Sequence, residues 1–507
     1  MIGYSPAVQN PESGASALRR KARLGVVILA LRTVVVQLTV LGGNIYLYRL
    51  LRPEDFGAFA IVQFALSFLV YFGDAGLGGA LIQKSDEPTK TELSTVWLLQ
   101  IGIGVAIVGA VWGLAPTLVR FWPDMDESGA WLFRALSLQL LLTALRVVPA
   151  ILMERHLQYT RLALLDVALS VGFYVGAVVL AMLGLGVKAL IGGVLIQGTL
   201  GVLIVFLLRP WRPSMVFDWK AVRPLLNFGL YFQAKNILGF VNGAIGPVYA
   251  GHTLGQRDLG HLTWAQNTAF FPLQLVGIIS RINFPLYSRL QSNREELADV
   301  LGRSVQLTAM ATLLFCGLVG GLGPKLVVIV FTEKWLPALP LLYVYLAGIS
   351  VGFLAPLVST ALDATGRARL TFRFSLVVVV LTWTLVPIGT HYCGIAGFAV
   401  AYIVVMWMGN LAMIWFMRRI AATSRLPRRV LVALVSATLV GFVGYALRPA
   451  ISSWVGLVLA ISLQVLVFGA AVFLLDRAAL IEGWSIIANK RAAEETSAAQ
   501  KDQERQS

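Results

Sequence analysis

The sequence predicts an all-α polytopic membrane protein of about fourteen transmembrane helices, arranged as two like-oriented six-helix lobes around a central cavity, with two extra helices. Three observations predict it. Of 507 residues, 58% are hydrophobic and 13% charged, a balance that soluble chains of this length do not show. Apolar runs of about 20 residues, enough to cross a hydrocarbon core of roughly 30 Å, recur along the chain. The Lys and Arg residues between these runs are rich and poor in alternate loops, as orientation by positive charge requires.

Taken in order, residues 1–23 form a cytoplasmic N-terminal segment whose Arg19, Arg20, Lys21 and Arg23 hold that end inside. The first apolar run, 24–48, exceeds a signal-peptide core and lacks a small-residue cleavage site after it, so it is expected to remain as a span. It opens an N-lobe, 24–208, that continues with spans at 56–80, 93–118, 130–152, 162–183 and 186–208. Residues 209–224 form a cytoplasmic inter-lobe linker, followed by a C-lobe, 225–417, with spans at 225–250, 260–287, 304–331, 337–361, 371–390 and 394–417. Residues 418–475 hold two further spans, 429–447 and 454–475, expected as an appendage, and 476–507 form a polar cytoplasmic tail.

Loop charge tests this layout independently. With both termini inside, the inner segments carry 28 of the 41 Lys and Arg residues and the outer loops carry 8, so a single missed span would reverse the later loops. The net charge of +16 therefore reflects membrane topology and not a nucleic-acid-binding face. No internal loop much exceeds sixteen residues, which leaves no room for a folded catalytic domain. Cys316 and Cys393 are too few and too far apart for a disulfide framework, and the four histidines form no metal spacing. No cofactor, metal or catalytic residue is expected.

An internal repeat supports the two lobes. At an offset of 203 residues, 32–68 aligns with 235–271 without a gap, and seven of 37 positions are identical. Its centre is LRPEDFG (51–57) against LGQRDLG (254–260), which pairs Asp55 with Asp258 and Gly57 with Gly260 in outer turns. Six spans of offset preserve orientation, so the repeat is parallel and its axis lies along the membrane normal. Two such lobes enclose a space suited to alternating access.

Charges within spans mark the candidate site, because a charge near the bilayer centre costs at least a few kcal/mol. Arg32 lies roughly 12 Å into the first span, Lys235 roughly 15 Å into the seventh, and Arg281 about 9 Å from the inner end of the eighth. Arg146 and Arg134 also fall inside spans, Arg134 close to the outer edge. Helical phase places Arg32 with Thr39, Gly43 and Tyr46, and Lys235 with Asn242, Gly246 and Tyr249, while Asn267, Gln274 and Arg281 follow a seven-residue spacing. These polar seams read as a cationic cavity open to the cytoplasm and suited to a phosphate or pyrophosphate headgroup. The other reading is that the same cations snorkel, or pair with Asp74 or Asp166 to lock helices.

Other motifs carry less. The Asp-x-Asp of FWPDMDESG (121–129) sits in a loop of about ten residues and reads as a solvated acidic turn. Asp74, in VYFGDAGLGGALIQ (70–83), falls near the cytoplasmic edge, where Gly76 and its glycine neighbours let the helix bend or end. It reads as an inner-gate or helix-pairing residue.

The stretch YRLLRPEDFGAFAIVQFALSFLVYFGDAGLGGALIQ (48–83) closely resembles the opening of the polysaccharide transporter family, the Wzx-type oligosaccharide flippases of the multidrug/oligosaccharidyl-lipid/polysaccharide (MOP) superfamily. MERHLQYTRLALLDV (153–167), LLNFGLYFQAKNI (225–237), EKWLPALPLL (333–342) and LDATGRARL (362–370) resemble its later blocks. The resemblance implies a bacterial inner-membrane protein that moves an undecaprenyl-pyrophosphate-linked oligosaccharide between leaflets, with a polysaccharide polymerase and a chain-length regulator as partners beside membrane lipids. It also implies cationic cavity residues, to which Arg32 and Arg281 correspond by helix. Many relatives carry an acidic residue in span 7; GAIGPVYAG (243–251) has none, so no ion-coupling role transfers.

The expected function is therefore a flippase serving exopolysaccharide, O-antigen or capsule synthesis and not an enzyme. Arg32, Lys235, Arg281 and Arg146 are the candidate headgroup residues and Gln63, Asn242, Asn267 and Gln274 the candidate sugar path. Asp74, Gly76, Asp55, Gly57, Asp258 and Gly260 are the candidate gating residues. A peptidoglycan-precursor flippase or a multidrug exporter has the same architecture, while a membrane glycosyltransferase would need an outer catalytic loop.

Overall fold

A computed structural model describes residues 11–74, 81, 86–125, 128–220, 223, 237–420 and 426–475. Among these residues nine helices are long and apolar enough to cross a membrane, and a bent pair makes a tenth. Large apolar side chains such as Leu207 and Met182 lie 79% and 72% exposed on helix faces, a pattern that suits lipid and not water.

The chain divides into two units, residues 1–260 and 261–507, and the linker expected at 209–224 lies within the first. The first unit contains α1 (Pro11–Leu50), α2 (Pro53–Asp74), α3 (Lys90–Val119), α4 (Ser128–Arg155), α5 (Tyr159–Met182) and α6 (Val187–Leu208). A capping box starts α3: the Thr89 hydroxyl accepts from Glu92 N, and the Glu92 carboxylate accepts from Thr89 N at 2.8 Å. Small residues let α5 and α6 approach, since Gly176 packs on Ile196, and Gly193 on Ala177 and the Phe173 carbonyl. The α1–α5 contact uses Gly43 under the Tyr174 ring, and the Tyr174 hydroxyl donates to Asn44 Oδ1 at 3.3 Å. The linker is strapped to α3, for Ser214 N donates to Ser94 Oγ, Asp218 N donates to Thr95 Oγ1, and Trp211 meets Trp97 edge-on.

Span 7 is interrupted. A π-helical turn covers Ile245–Ala250, around Pro247, which lacks a backbone donor. This turn changes the phase between Asn242 and Tyr249, which the sequence places on one regular face.

The described helices that follow are α7 (Gly255–Ala269), which crosses into the second unit, α8 (Leu273–Arg289), α9 (Arg294–Leu326), α10 (Leu339–Gly352), α11 (Leu354–Ala364), α12 (Ala368–Ile420), α13 (Leu426–Leu447) and α14 (Trp454–Leu475). The expected span 260–287 is broken, with a 51° bend between α7 and α8 where Pro272 begins a new helix. Spans 11 and 12 run together as α12, broken only at the non-helical Cys393 and Gly394, where Gly394 has φ +56°. The last two helices are no loose appendage. Gly317 and Gly321 of α9 face the Ala437 and Gly441 carbonyls of α13, and buried Gln464 of α14 donates to the Val440 carbonyl at 2.8 Å. Arg448 closes this corner by donating to the Gly321 carbonyl at 2.6 Å.

Candidate functional site

Two features of the first unit bring candidate residues together. The first is the contact between the repeated turns. Pro53 begins α2, and the Asp55 carboxylate accepts from Arg52 N at 2.9 Å, which caps the helix start. Asp258 holds the matching place in the first turn of α7. Gly57 lies so close to the Gln256 carbonyl that a Cβ there would overlap it, and a Cβ on Gly260 would overlap the Pro53 carbonyl. In the repeat Pro53 corresponds to Gln256 and Gly57 to Gly260, so the two contacts are one contact made twice. That reciprocity is the mark of a two-fold interface.

The segment 121–125 completes the turn pair. Gln256 donates to Asp124 twice, from its backbone N to Oδ2 at 3.2 Å and from Nε2 to the carbonyl at 2.7 Å. Trp122 Nε1 donates to the Pro247 carbonyl at 3.0 Å, and the Phe121 ring stacks on His252. Asp124 is exposed, as a solvated acidic turn should be, and also serves as a tether. Gly255, with φ +83°, packs against the Asp124 carboxylate, a conformation and a closeness that only glycine tolerates.

The second feature is an ionic seam. Arg32 Nη2 donates to Asp166 Oδ2 at 2.6 Å, which joins α1 to α5, and each side chain is about a third exposed (34% and 35%). Arg146 packs beside Gly201 of α6, which the Leu169 side chain also touches. The sequence left Asp74 and Asp166 both open as partners, and the structure pairs Arg32 with Asp166. Among the described residues, buried Arg32 Nε has no hydrogen-bond partner, and neither has Ser170 Oγ, one turn beyond Asp166 on α5.

The remaining candidates are more dispersed. Gln63 Nε2 donates to Ser67 Oγ along α2, and Asn242 Oδ1 is buried with no partner. In the second unit Asn267, Gln274 and Arg281 are all exposed, with the 51° bend separating the first from the other two. Asn283, two residues beyond Arg281, donates to Ser304 Oγ at 2.7 Å and ties that part of α8 to α9. Lys235, Gly76 and the Asp74 side chain lie outside the described residues. Arg134 is bound at its place, with Nε donating to the Trp112 carbonyl and Trp112 Nε1 donating back to the Arg134 carbonyl, each at 3.2 Å.

Many long helices with charged and polar groups between them define a membrane transporter, and the fold is that of the MOP superfamily. The chain is similar to the lipid II flippase MurJ in an inward closed conformation, with a TM-score of 0.70 at 13% identity over 90% of this chain and 100% of that one. It is also similar to an inward-facing multidrug resistance MATE family transporter, with a TM-score of 0.59 at 15% identity over 79% of this chain and 99% of that one. Residues 46–340 match the polysaccharide biosynthesis protein family, and the chain belongs to that family. Its relatives include the teichuronic acid biosynthesis protein TuaB of Bacillus subtilis, 27% identical over 61% of this chain and 64% of that protein, so the chain spans a little under two thirds of TuaB. The lipopolysaccharide biosynthesis protein WzxC of Escherichia coli is 25% identical over 78% of this chain and 80% of its own length. The succinoglycan biosynthesis transport protein ExoT of Rhizobium meliloti is 27% identical over 68% and 69%.

Proposed function

We propose that the protein is a flippase that moves undecaprenyl-pyrophosphate-linked oligosaccharide units across a bacterial inner membrane by alternating access, with fourteen spans and both termini in the cytoplasm. Guanidinium groups held within spans carry this reading. Arg32 pairs with Asp166, and Arg146 packs beside Gly201 of α6, charges that a lipid-facing helix would not carry. With the expected topology the three lie within about 12 Å of the inner membrane face, within reach of a headgroup entering from the cytoplasm.

In this reading Arg32, Arg146, Lys235 and Arg281 take the pyrophosphate, and Gln63, Asn242, Asn267 and Gln274 line the sugar path. Guanidinium groups suit this role because they bind phosphate oxygens with several donors at once and keep their charge. The prenyl chain stays in lipid, so only the headgroup needs a polar route. The reciprocal turn contact at Gly57 and Gly260 serves as the outer gate, with Asp55 and Asp258 fixing the helix starts on either side, and Asp74 with Gly76 serves as the inner one. Outward opening has to part both carbonyl contacts together, because the repeat makes each the copy of the other.

The test is export in a strain that depends on this protein. Arg32→Ala is expected to block export while membrane insertion stays normal, and full export by that variant contradicts the assignment. The likeness to a lipid II flippase favours a second reading, a peptidoglycan precursor as cargo. Vesicles offered each lipid separately tell the two apart.

A further inference from the structure

We propose that Asp166 is a resident counter-anion of the headgroup site: it occupies Arg32 while no substrate is bound, and gives it up when a phosphate arrives. The proposal rests on the flippase reading above and adds a role for a residue outside the cationic set.

The geometry points this way on three grounds. The Arg32–Asp166 contact is single-pointed, one Nη2 donor to one Oδ2 acceptor. A guanidinium has five N–H donors, and a pair built to lock two helices gains most from a two-point fork. Here Arg32 Nε lies buried with its donor unused. Next, Arg146 of α4 packs beside Gly201, which Leu169 of α5 also touches, so a second guanidinium stands among the same helices. An entering pyrophosphate brings several acceptor oxygens to them. Finally, Ser170 Oγ follows Asp166 by one helical turn, buried and without a partner, a hydroxyl free to meet the same ligand.

The consequence concerns turnover. A transporter must hold its cargo weakly enough to release it, and a fixed carboxylate beside the phosphate weakens the grip of Arg32. It also spares the empty state an unpaired Arg32 guanidinium. Asp166 thus sets affinity by competition with the headgroup.

The experiment uses the full-length protein in lipid nanodiscs with undecaprenyl pyrophosphate as probe. Removing the competing charge in Asp166→Asn is expected to tighten binding about tenfold and to slow export. The charge-swapped chain, Arg32→Asp with Asp166→Arg, separates this role from a plain helix lock. A lock predicts that the swap restores both thermal stability and export. A counter-anion predicts restored stability without export, because the cation has moved to the wrong helix. Should Asp166→Asn fail to accumulate in the membrane, the swapped chain carries the same test. Binding by Asp166→Asn no tighter than by the wild type, or wild-type export by the swapped chain, overturns the proposal and leaves the flippase reading standing. Wild-type protein that does not bind the probe overturns both.

Discussion

The turn pair around Gly57 and Gly260 and the seam around Asp166 lie in the same unit and are built on opposite principles. The turn pair works through missing atoms: two glycines admit two carbonyl groups, and any side chain there collides with backbone that cannot move aside. The seam works through charge, the Arg32 guanidinium on the Asp166 carboxylate with one donor left over. Shape closes the first region and electrostatics closes the second. A rigid steric contact suits a gate that is either shut or open, whereas a charge-balanced contact suits a site whose occupant has to be exchanged.

The comparison breaks most sharply at the glycines. Gly57→Leu and Gly260→Leu are each expected to abolish export while the protein still reaches the membrane, and to do so equally, since the repeat makes the two contacts equivalent. Cysteine accessibility from the outer side is expected to rise in both, and one tolerated substitution beside one lethal one would show that the contacts are not a pair. Next in size, Arg32→Ala is expected to lower export at least tenfold, whereas Arg32→Lys keeps a fraction, because an ammonium retains the charge and loses the planar set of donors. Transport assays on membranes with matched protein levels check this.

A smaller effect is expected at the tether. Asp124→Ala removes the side-chain contact to Gln256 N and leaves the one to its own carbonyl, and a hydrogen bond of this kind contributes about 1 kcal/mol. Export is expected to change severalfold with thermal stability nearly unchanged, read by outer-side accessibility of a cysteine near Gln256. The smallest effect is expected at Gln63→Ala, whose side chain bonds to Ser67 on its own helix. It should alter apparent affinity for the saccharide more than maximal rate.

Much of the fold was legible because lipid imposes a simple code of apolar runs of fixed length. The repeat was legible for a related reason, since Asp55, Gly57 and their counterparts are polar or small residues that apolar composition does not produce by itself. What the repeat could not reveal is that its two copies touch. The bend at Pro272 and the π-turn around Pro247 had a local signal, proline within an apolar run, but hydropathy treats such a run as one continuous span. The seam was half legible. Arg32 and Arg146 stand out by depth, but the choice between Asp74 and Asp166 depends on how α1 rotates against α5, which is set by Gly43 beneath Tyr174 and by Asn44. Such pairing joins residues 134 positions apart and has no trace in periodicity.

The most direct test is transbilayer movement of an undecaprenyl-pyrophosphate-linked oligosaccharide in vesicles that hold the purified protein alone. The account predicts movement that depends on the wild-type protein, falls at least tenfold with Arg32→Ala, and stops with Gly57→Leu. Movement equal to that in protein-free vesicles, or undiminished by Arg32→Ala, would contradict it.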